Sequence, residues 1–267
     1  MRRFAALASA IFAAAIAGSA CGPARVALPA GPGTPRADAL PLLESATAAC
    51  RAVRTLTTEL TLAGKTGQQK IHGHVVAGFA PGALRLEGVA PFGAPAFILA
   101  AENGRGTLLL ARDRRVLPSA PPAEILQALV GVSLSPDDLL AVLTGCVKAM
   151  ARPGAARAYG ADWLAVDFAG GGTAYLNQKN GQWRVASGLL NGLEIDYGTT
   201  VNGLPQSVRL FSADSGQAPT VDLDVRLQSF TINAPLERDA FSVRVPPDTQ
   251  PMTLDDLRSS GPLGQRN

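Results

Sequence analysis

Gln69-Lys70-Ile71-His72-Gly73-His74-Val75-Val76-Ala77-Gly78-Phe79-Ala80-Pro81-Gly82-Ala83-Leu84-Arg85-Leu86-Glu87-Gly88-Val89 decides the fold class. Apolar residues recur every second position on either side of Ala80-Pro81-Gly82, a breaker that reverses the chain. The stretch therefore reads as two antiparallel strands, 69–79 and 83–89, joined by a tight turn. The same period continues outward. Leu56 to Leu62 precedes it, and Ala96 to Ala101 and Gly106 to Leu110 follow, with turns at Gly64 to Gly67, Pro91-Phe92-Gly93 and Glu102 to Arg105. Strands separated only by turns form a meander and exclude the strand–helix alternation of a parallel sheet.

A second β-rich run begins at Trp163. Six segments carry it: Trp163 to Phe168, Thr173 to Asn177, Trp183 to Leu189, Gly192 to Tyr197, Gln206 to Ser212 and Asp222 to Thr231. Gly170-Gly171-Gly172, Asn180-Gly181 and Asn202-Gly203 supply reversals between them. A short extended piece, Phe241 to Val245, stops at Pro246-Pro247.

Helical signals flank and divide these runs. Asp38 to about Thr55 reads as a helix capped by Asp38, with Leu40, Leu43, Ala46, Ala49, Cys50 and Val53 along one stripe. Pro121-Pro122 opens a second over Ala123 to Val130. Ser135-Pro136-Asp137-Asp138 starts a third: a cap, a proline at the first helical position and early acids precede Leu139, Leu140, Val142 and Leu143. The sum is a mainly β domain with helices. About 11 strands form an open, strongly curved antiparallel half-barrel, and the helices bury their apolar stripes by covering its concave face.

The N-terminus reads as an address. Arg2 and Arg3 precede the uncharged run Phe4 to Ala17, and Gly18-Ser19-Ala20 supplies a small-residue exit, so residues 1–20 form a signal peptide. The run falls short of the roughly 20 apolar residues of a membrane-spanning helix. Gly18-Ser19-Ala20-Cys21 resembles the bacterial lipobox, although leucine is usual where Gly18 stands. That resemblance implies cleavage before Cys21, a diacylglycerol on its sulfur and a further acyl chain, such as palmitate, on its amine. The alternative is ordinary cleavage with Cys21 incidental. Gly22 is not the aspartate that favours inner-membrane retention. Residues 21–37, rich in proline, glycine and alanine, read as a lipidated, flexible tether, 38–257 as the domain and 258–267 as a disordered polar tail.

Composition narrows the function further. The net charge of +3 includes Arg2 and Arg3, and the processed chain is close to neutral without any basic run, which excludes nucleic acid as a partner. Cys50 and Cys146 are the cysteines of the domain. A disulfide between them suits an oxidising compartment; two buried free thiols are the alternative. His72 and His74 share a strand face with no third ligand nearby, Asp137-Asp138 serves the start of a helix, and Ala169-Gly170-Gly171-Gly172 lacks the lysine and helix of a phosphate loop. No hydrolase elbow, zinc-protease helix or dinucleotide fingerprint occurs. The expectation is a non-enzyme without metal or cofactor.

Several short motifs, in order, resemble the lipoprotein-localisation family of LolB-type outer-membrane receptors and LolA-type periplasmic carriers. They are Leu84 to Gly88 with Ala90-Pro91-Phe92-Gly93, then Arg114-Arg115-Val116-Leu117, and the helices holding Leu129-Val130-Gly131-Val132 and Leu139 to Gly145. Asn180-Gly181-Gln182-Trp183-Arg184-Val185 and Leu204 to Leu210 continue the series, and Phe230, Asn233, Pro235, Phe241, Val243 and Pro246 resemble its closing segment. The resemblance implies a helical lid over a hydrophobic cavity that accepts lipoprotein acyl chains as a chaperone does, without catalysis. It implies an outer-membrane location at the periplasmic face, membrane lipid and acylated lipoprotein as partners, a LolA-like carrier as donor, and a monomer. Leu86, Phe97, Leu99, Leu126, Leu139, Leu143, Trp163 and Trp183 are the expected cavity lining. Phe79, or Phe92 in the next turn, is the expected membrane-contact residue, with a core role as the alternative for each. A closed core with an exposed patch or edge would instead mark a structural or interaction lipoprotein of the same fold.

Overall fold

The two β-rich runs join into one sheet, and the join is the centre of the molecule. A computed structural model describes residues 25–89, 95–212 and 220–260. The chain opens with β1 (Thr34–Pro35) and α1 (Ala39–Arg51), then turns through β2 (Leu56–Thr66), β3 (Gln69–Ala80), β4 (Ala83–Val89), β5 (Phe97–Glu102), β6 (Arg105–Leu110) and β7 (Arg115–Ala120). Helices α2 (Pro122–Val130) and α3 (Pro136–Thr144) follow. The second run comprises β8 (Pro153–Tyr159), β9 (Trp163–Phe168), β10 (Thr173–Lys179), β11 (Gln182–Leu190) and β12 (Leu193–Tyr197). A small hairpin, β13 (Thr200–Val201) with β14 (Leu204–Pro205), interrupts it before β15 (Ser207–Ser212) and β16 (Val221–Ile232). A 3₁₀ turn at Arg238–Phe241, β17 (Gln250–Pro251) and α4 (Leu254–Ser260) close the described chain.

β16 pairs antiparallel with β2 along its whole length, from Val221 opposite Thr66 to Ile232 opposite Leu56. That ladder fuses the runs into a 15-stranded sheet ordered β1-β8-β9-β10-β11-β12-β15-β16-β2-β3-β4-β5-β6-β7-β17. Only β17 runs parallel to its neighbour, and β1 and β17 do not pair, so the sheet stays open. Gly64 permits the close approach at the join: its φ is +149°, and a Cβ there would collide with the Asp222 carbonyl oxygen.

Alternation in the sequence becomes alternation in burial. Along β3, Ile71, Val75, Ala77 and Phe79 are buried while His72 and His74 face solvent. Phe79 pairs with Leu84 and Ala80 with Ala83 across the Pro81-Gly82 turn. The buried faces meet α1, α2 and α3, whose Leu43, Ile125, Leu126, Leu129 and Leu143 complete one continuous core. α3 is started as expected: Ser135 Oγ accepts the Asp138 amide at 3.1 Å, and Gly145 ends the helix in the left-handed conformation.

Several expectations need correction. The sheet has 15 strands rather than about 11, because β1, β7, β8 and β17 join it. Asp38 makes no cap bond; its carboxylate is held by Arg36 at 2.9 Å, which keeps it below the usual carboxylate range. Phe241 ends a 3₁₀ turn, and Ser242 to Val245 join no strand. The tail is ordered further than expected, since α4 buries Leu257 completely and continues to Ser260. Residues 25–37 are not a loose tether either: Thr34 and Pro35 pair with Ala158 and Arg157 on the edge of β8.

Candidate functional site

Two clefts flank α1, and Cys50 lines both. Cys50, in the last turn of α1, is disulfide-bonded to Cys146, which follows α3 directly. The bond spans 96 residues of sequence and ties the two helices together with Cα atoms 5.7 Å apart.

The larger cleft encloses about 470 Å³ between the C-terminal half of α1, α3 and the loop that follows the disulfide. Its apolar lining comes from Leu43, Val53, Leu140, Ala141 and Phe168. Arg51 and Arg54 are exposed on its rim, joined by Lys148 and opposed by Asp137. Asp137 is engaged, accepting the Gly82 amide at 2.8 Å, and so ties the β3–β4 turn to α3. A lining of mixed polar and apolar character with more basic than acidic side chains suits an amphiphile with an anionic head. Thr47 and Thr144 also line the cleft, but their hydroxyls donate back into their own helices, to Leu43 O at 2.7 Å and Leu140 O at 2.8 Å.

The loop closing this cleft is held in a strained shape. Val147 has φ +65° and Met150 φ +45°. Left-handed backbone at a β-branched residue costs on the order of 1–3 kcal/mol, so its neighbours must enforce it. They do so at four points. The Val147 side chain is fully buried and packs against the backbone of Gly188, where an added Cβ would lie 2.6 Å from both of its methyls. The Val147 amide donates to Tyr197 Oη at 3.1 Å, Lys148 Nζ donates to the Gly170 and Gly171 carbonyls at 2.9 and 3.0 Å, and the Ala149 amide donates to Asp138 Oδ1 at 3.1 Å. Burial pushes the Tyr197 phenol well above its ordinary value, so it stays neutral. The loop thereby presents Met150, 96% exposed, at the mouth of the cleft.

The smaller cleft, about 210 Å³, lies on the other side of α1, against β11 and the β13–β14 hairpin. Ala46, Ala49, Trp183, Tyr197 and Pro205 contribute to it.

Most of the residues anticipated for an acyl cavity do not line these two clefts. Leu86, Phe97, Leu99, Leu126 and Leu143 are buried in the core, while Leu139 and Trp183 pack against it from partly exposed positions. Trp163 is half-buried at the start of β9. Of these eight, only Trp183 lines either cleft. Phe79 is fully buried in the core, the position its alternative role requires. Phe92 and Cys21 lie outside the described residues. The cleft residues Leu43 and Leu140 were visible in helix patterns, but nothing in the local sequence marked Phe168 or Arg54 as their neighbours.

His72 and His74 stand exposed with ring centroids 6.5 Å apart. Among the described residues no three His, Cys, Asp or Glu side chains converge as metal ligands, and no helix is long and apolar enough to cross a membrane.

No protein-family model and no curated protein matches the chain. Solved structures do match. A LolA superfamily protein from Nitrosomonas europaea aligns over 77% of this chain and 97% of its own at 8% identity, with a TM-score of 0.53. A domain assigned to outer-membrane lipoprotein sorting in Vibrio parahaemolyticus aligns over 76% and 97% at 9% identity, with a TM-score of 0.50. At these identities the likeness is one of fold: the open, mostly antiparallel sheet with its helices is LolA-like.

Proposed function

We propose that the chain is a non-enzymatic envelope lipoprotein, held at the periplasmic face of the outer membrane by Cys21, that binds the acyl chain of a lipoprotein or related lipid. The observation that carries this reading is the amphipathic cleft of about 470 Å³ between α1 and α3 on a LolA-like sheet. Its volume falls in the roughly 300–1,000 Å³ range of ligand sites, and its cationic rim offers a place for an anionic headgroup. Reception and release exchange acyl burial in one apolar environment for another, each buried methylene being worth about 0.8 kcal/mol, so the transfer needs no cofactor. The partners on this reading are an acylated lipoprotein, a LolA-like carrier that delivers it, and membrane lipid, with the protein acting as a monomer.

The test uses the Cys21→Ala protein, purified without its own acyl chains and examined by native mass spectrometry. Bound species of lipid mass are expected, and Leu140→Trp, which fills the cleft from the partly exposed face of α3, should remove them without altering the far-ultraviolet dichroism. Absence of bound lipid, together with no uptake of an acylated lipoprotein from an active periplasmic carrier, refutes the reading.

A second reading rests on a specific observation as well. Leu86, Phe97, Leu99, Leu126 and Leu143, which the family resemblance set around a cavity, are buried in one core cluster. A structural or protein-interaction lipoprotein with the same fold accounts for that packing, and it requires Leu140→Trp to leave function unchanged.

A further inference from the structure

Glu194 and Asp196 are each 7% exposed, yet they occupy the side of β12 opposite the core residues Leu193 and Ile195. Arg25 and Val26 contact them there. The Arg25 guanidinium lies 3.1 Å from Glu194 Oε2 and 4.0 Å above the Phe211 ring, and the Val26 amide donates to Asp196 Oδ2 at 2.8 Å. Eight residues after Val26, Thr34 pairs with Ala158, and the Arg36 amide donates to Ala156 O at 3.0 Å. Between these points the sheet order places β11, β10 and β9. The segment therefore crosses the outer face of the sheet, joins the edge of β8 as β1, and enters α1 on the core face. Pro29, Pro32 and Pro35 lower the entropy lost when such a segment docks.

We propose that residues 25–38 are a latch rather than a tether, and that the latch turns the outer face of β11, β12 and β15 toward the bilayer that holds the N-terminus. The inference rests on the reading of Cys21 as the lipid anchor. Only Gly22, Pro23 and Ala24 separate Cys21 from Arg25, and the fully extended chain spans at most about 14 Å between those two residues. A free linker from Cys21 to Asp38 would have a root-mean-square reach of about 20–25 Å in any direction and would leave the orientation open. With the latch closed, the bilayer surface lies beside the Arg25 site, and the sheet stands between it and the clefts. The cleft mouths then open away from the host membrane, toward an incoming soluble partner.

The experiment uses the lipidated full chain in phosphatidylethanolamine–phosphatidylglycerol vesicles carrying acceptor-labelled headgroups. A fluorescent donor is placed on Glu59→Cys, exposed on the outer face of β2, or on Glu44→Cys, exposed on α1. Energy transfer is expected to be more efficient from position 59 than from position 44. Arg25→Glu sets a third carboxylate beside Glu194 and Asp196; it should abolish that difference and lower amide protection at Val26 and Arg36 about tenfold, the equivalent of a part-buried ion pair and a cation–π contact. Equal transfer from the two positions in the wild type, or a difference that survives Arg25→Glu after the latch amides have lost protection, overturns the proposal. A mature mass without acyl chains overturns the anchor and the orientation with it, whereas amide protection in the same sample reports on the latch alone. Lipid binding by the clefts is read separately by native mass spectrometry, so the failure of either idea is distinguishable from the failure of the other.

Discussion

Replacing Cys50 and Cys146 with alanine should cost this domain more stability than any single core truncation of average size. The bond closes a loop of 96 residues. In the chain-entropy treatment a loop of about this length withholds close to 16 cal/mol/K from the unfolded chain, or about 4.7 kcal/mol at 25 °C. At about 2–4 °C per kcal/mol for a domain of this size, the melting temperature should fall by about 9–19 °C. Urea unfolding, followed by circular dichroism, separates two origins of the loss. If the bond acts on the unfolded chain, the double variant and the reduced wild type should agree, and both should show a steeper urea dependence because the released chain exposes more surface. If it acts by holding α1 against α3, stability should drop with no change in that slope. A loss below about 1 kcal/mol in Cys50→Ala/Cys146→Ala would refute the entropic reasoning outright. Because Cys50 lines both clefts, reduction should also weaken any ligand seen by native mass spectrometry.

Three further outcomes are expected. Phe79→Ala, at a fully buried position, should lose about 3–5 kcal/mol in urea unfolding; a stable variant with impaired membrane association would support the membrane-contact role. Gly188→Ala should cost about 1–3 kcal/mol by pressing a methyl onto Val147, and Val147→Ala should recover part of that cost in a double-mutant cycle, whereas additive losses would show that the two residues do not share the space. Asp196 is governed by burial, which raises its pKa above 3.8 against the opposing pull of the Val26 amide. The folded state therefore holds this proton more firmly than the unfolded chain, and the contribution to stability falls as pH rises through the folded value. Asp196→Asn keeps an oxygen for Val26 and removes the titration, so its stability relative to wild type should improve as pH rises above about 4; a flat or inverted difference in urea midpoints would contradict the assignment.

Several of the strands that were legible, β2, β3 and β16 among them, have a buried face and a more exposed face, so burial alternation is written as hydropathy alternation. The strands that were missed lack such a period. β8 has no buried residue to set a period, β7 contains Pro118, and β1 and β17 are two-residue ladders that exist only because a neighbouring edge is there to pair with. The latch left no signature either. Its contacts at Val26 and Arg36 are made through backbone amides, and its proline-rich composition is that of a linker.

The candidate site shows the same division. Sequence identified the apolar residues of the domain and the helices that carry Leu43 and Leu140. The family resemblance set the cavity among Leu86, Phe97 and Leu99, which are buried in the core, while the larger cleft lies beside Phe168, from an element more than a hundred residues away from α1. By itself, then, the sequence determined the two β-rich runs, the three principal helices and the apolar faces, because these follow from periods of two and 3.6 residues acting locally. The tertiary structure alone decided how β16 meets β2, where packing leaves a cleft and which face the N-terminal segment covers. Each of these depends on the fit between surfaces distant in sequence, and residue-by-residue hydropathy carries no record of that fit.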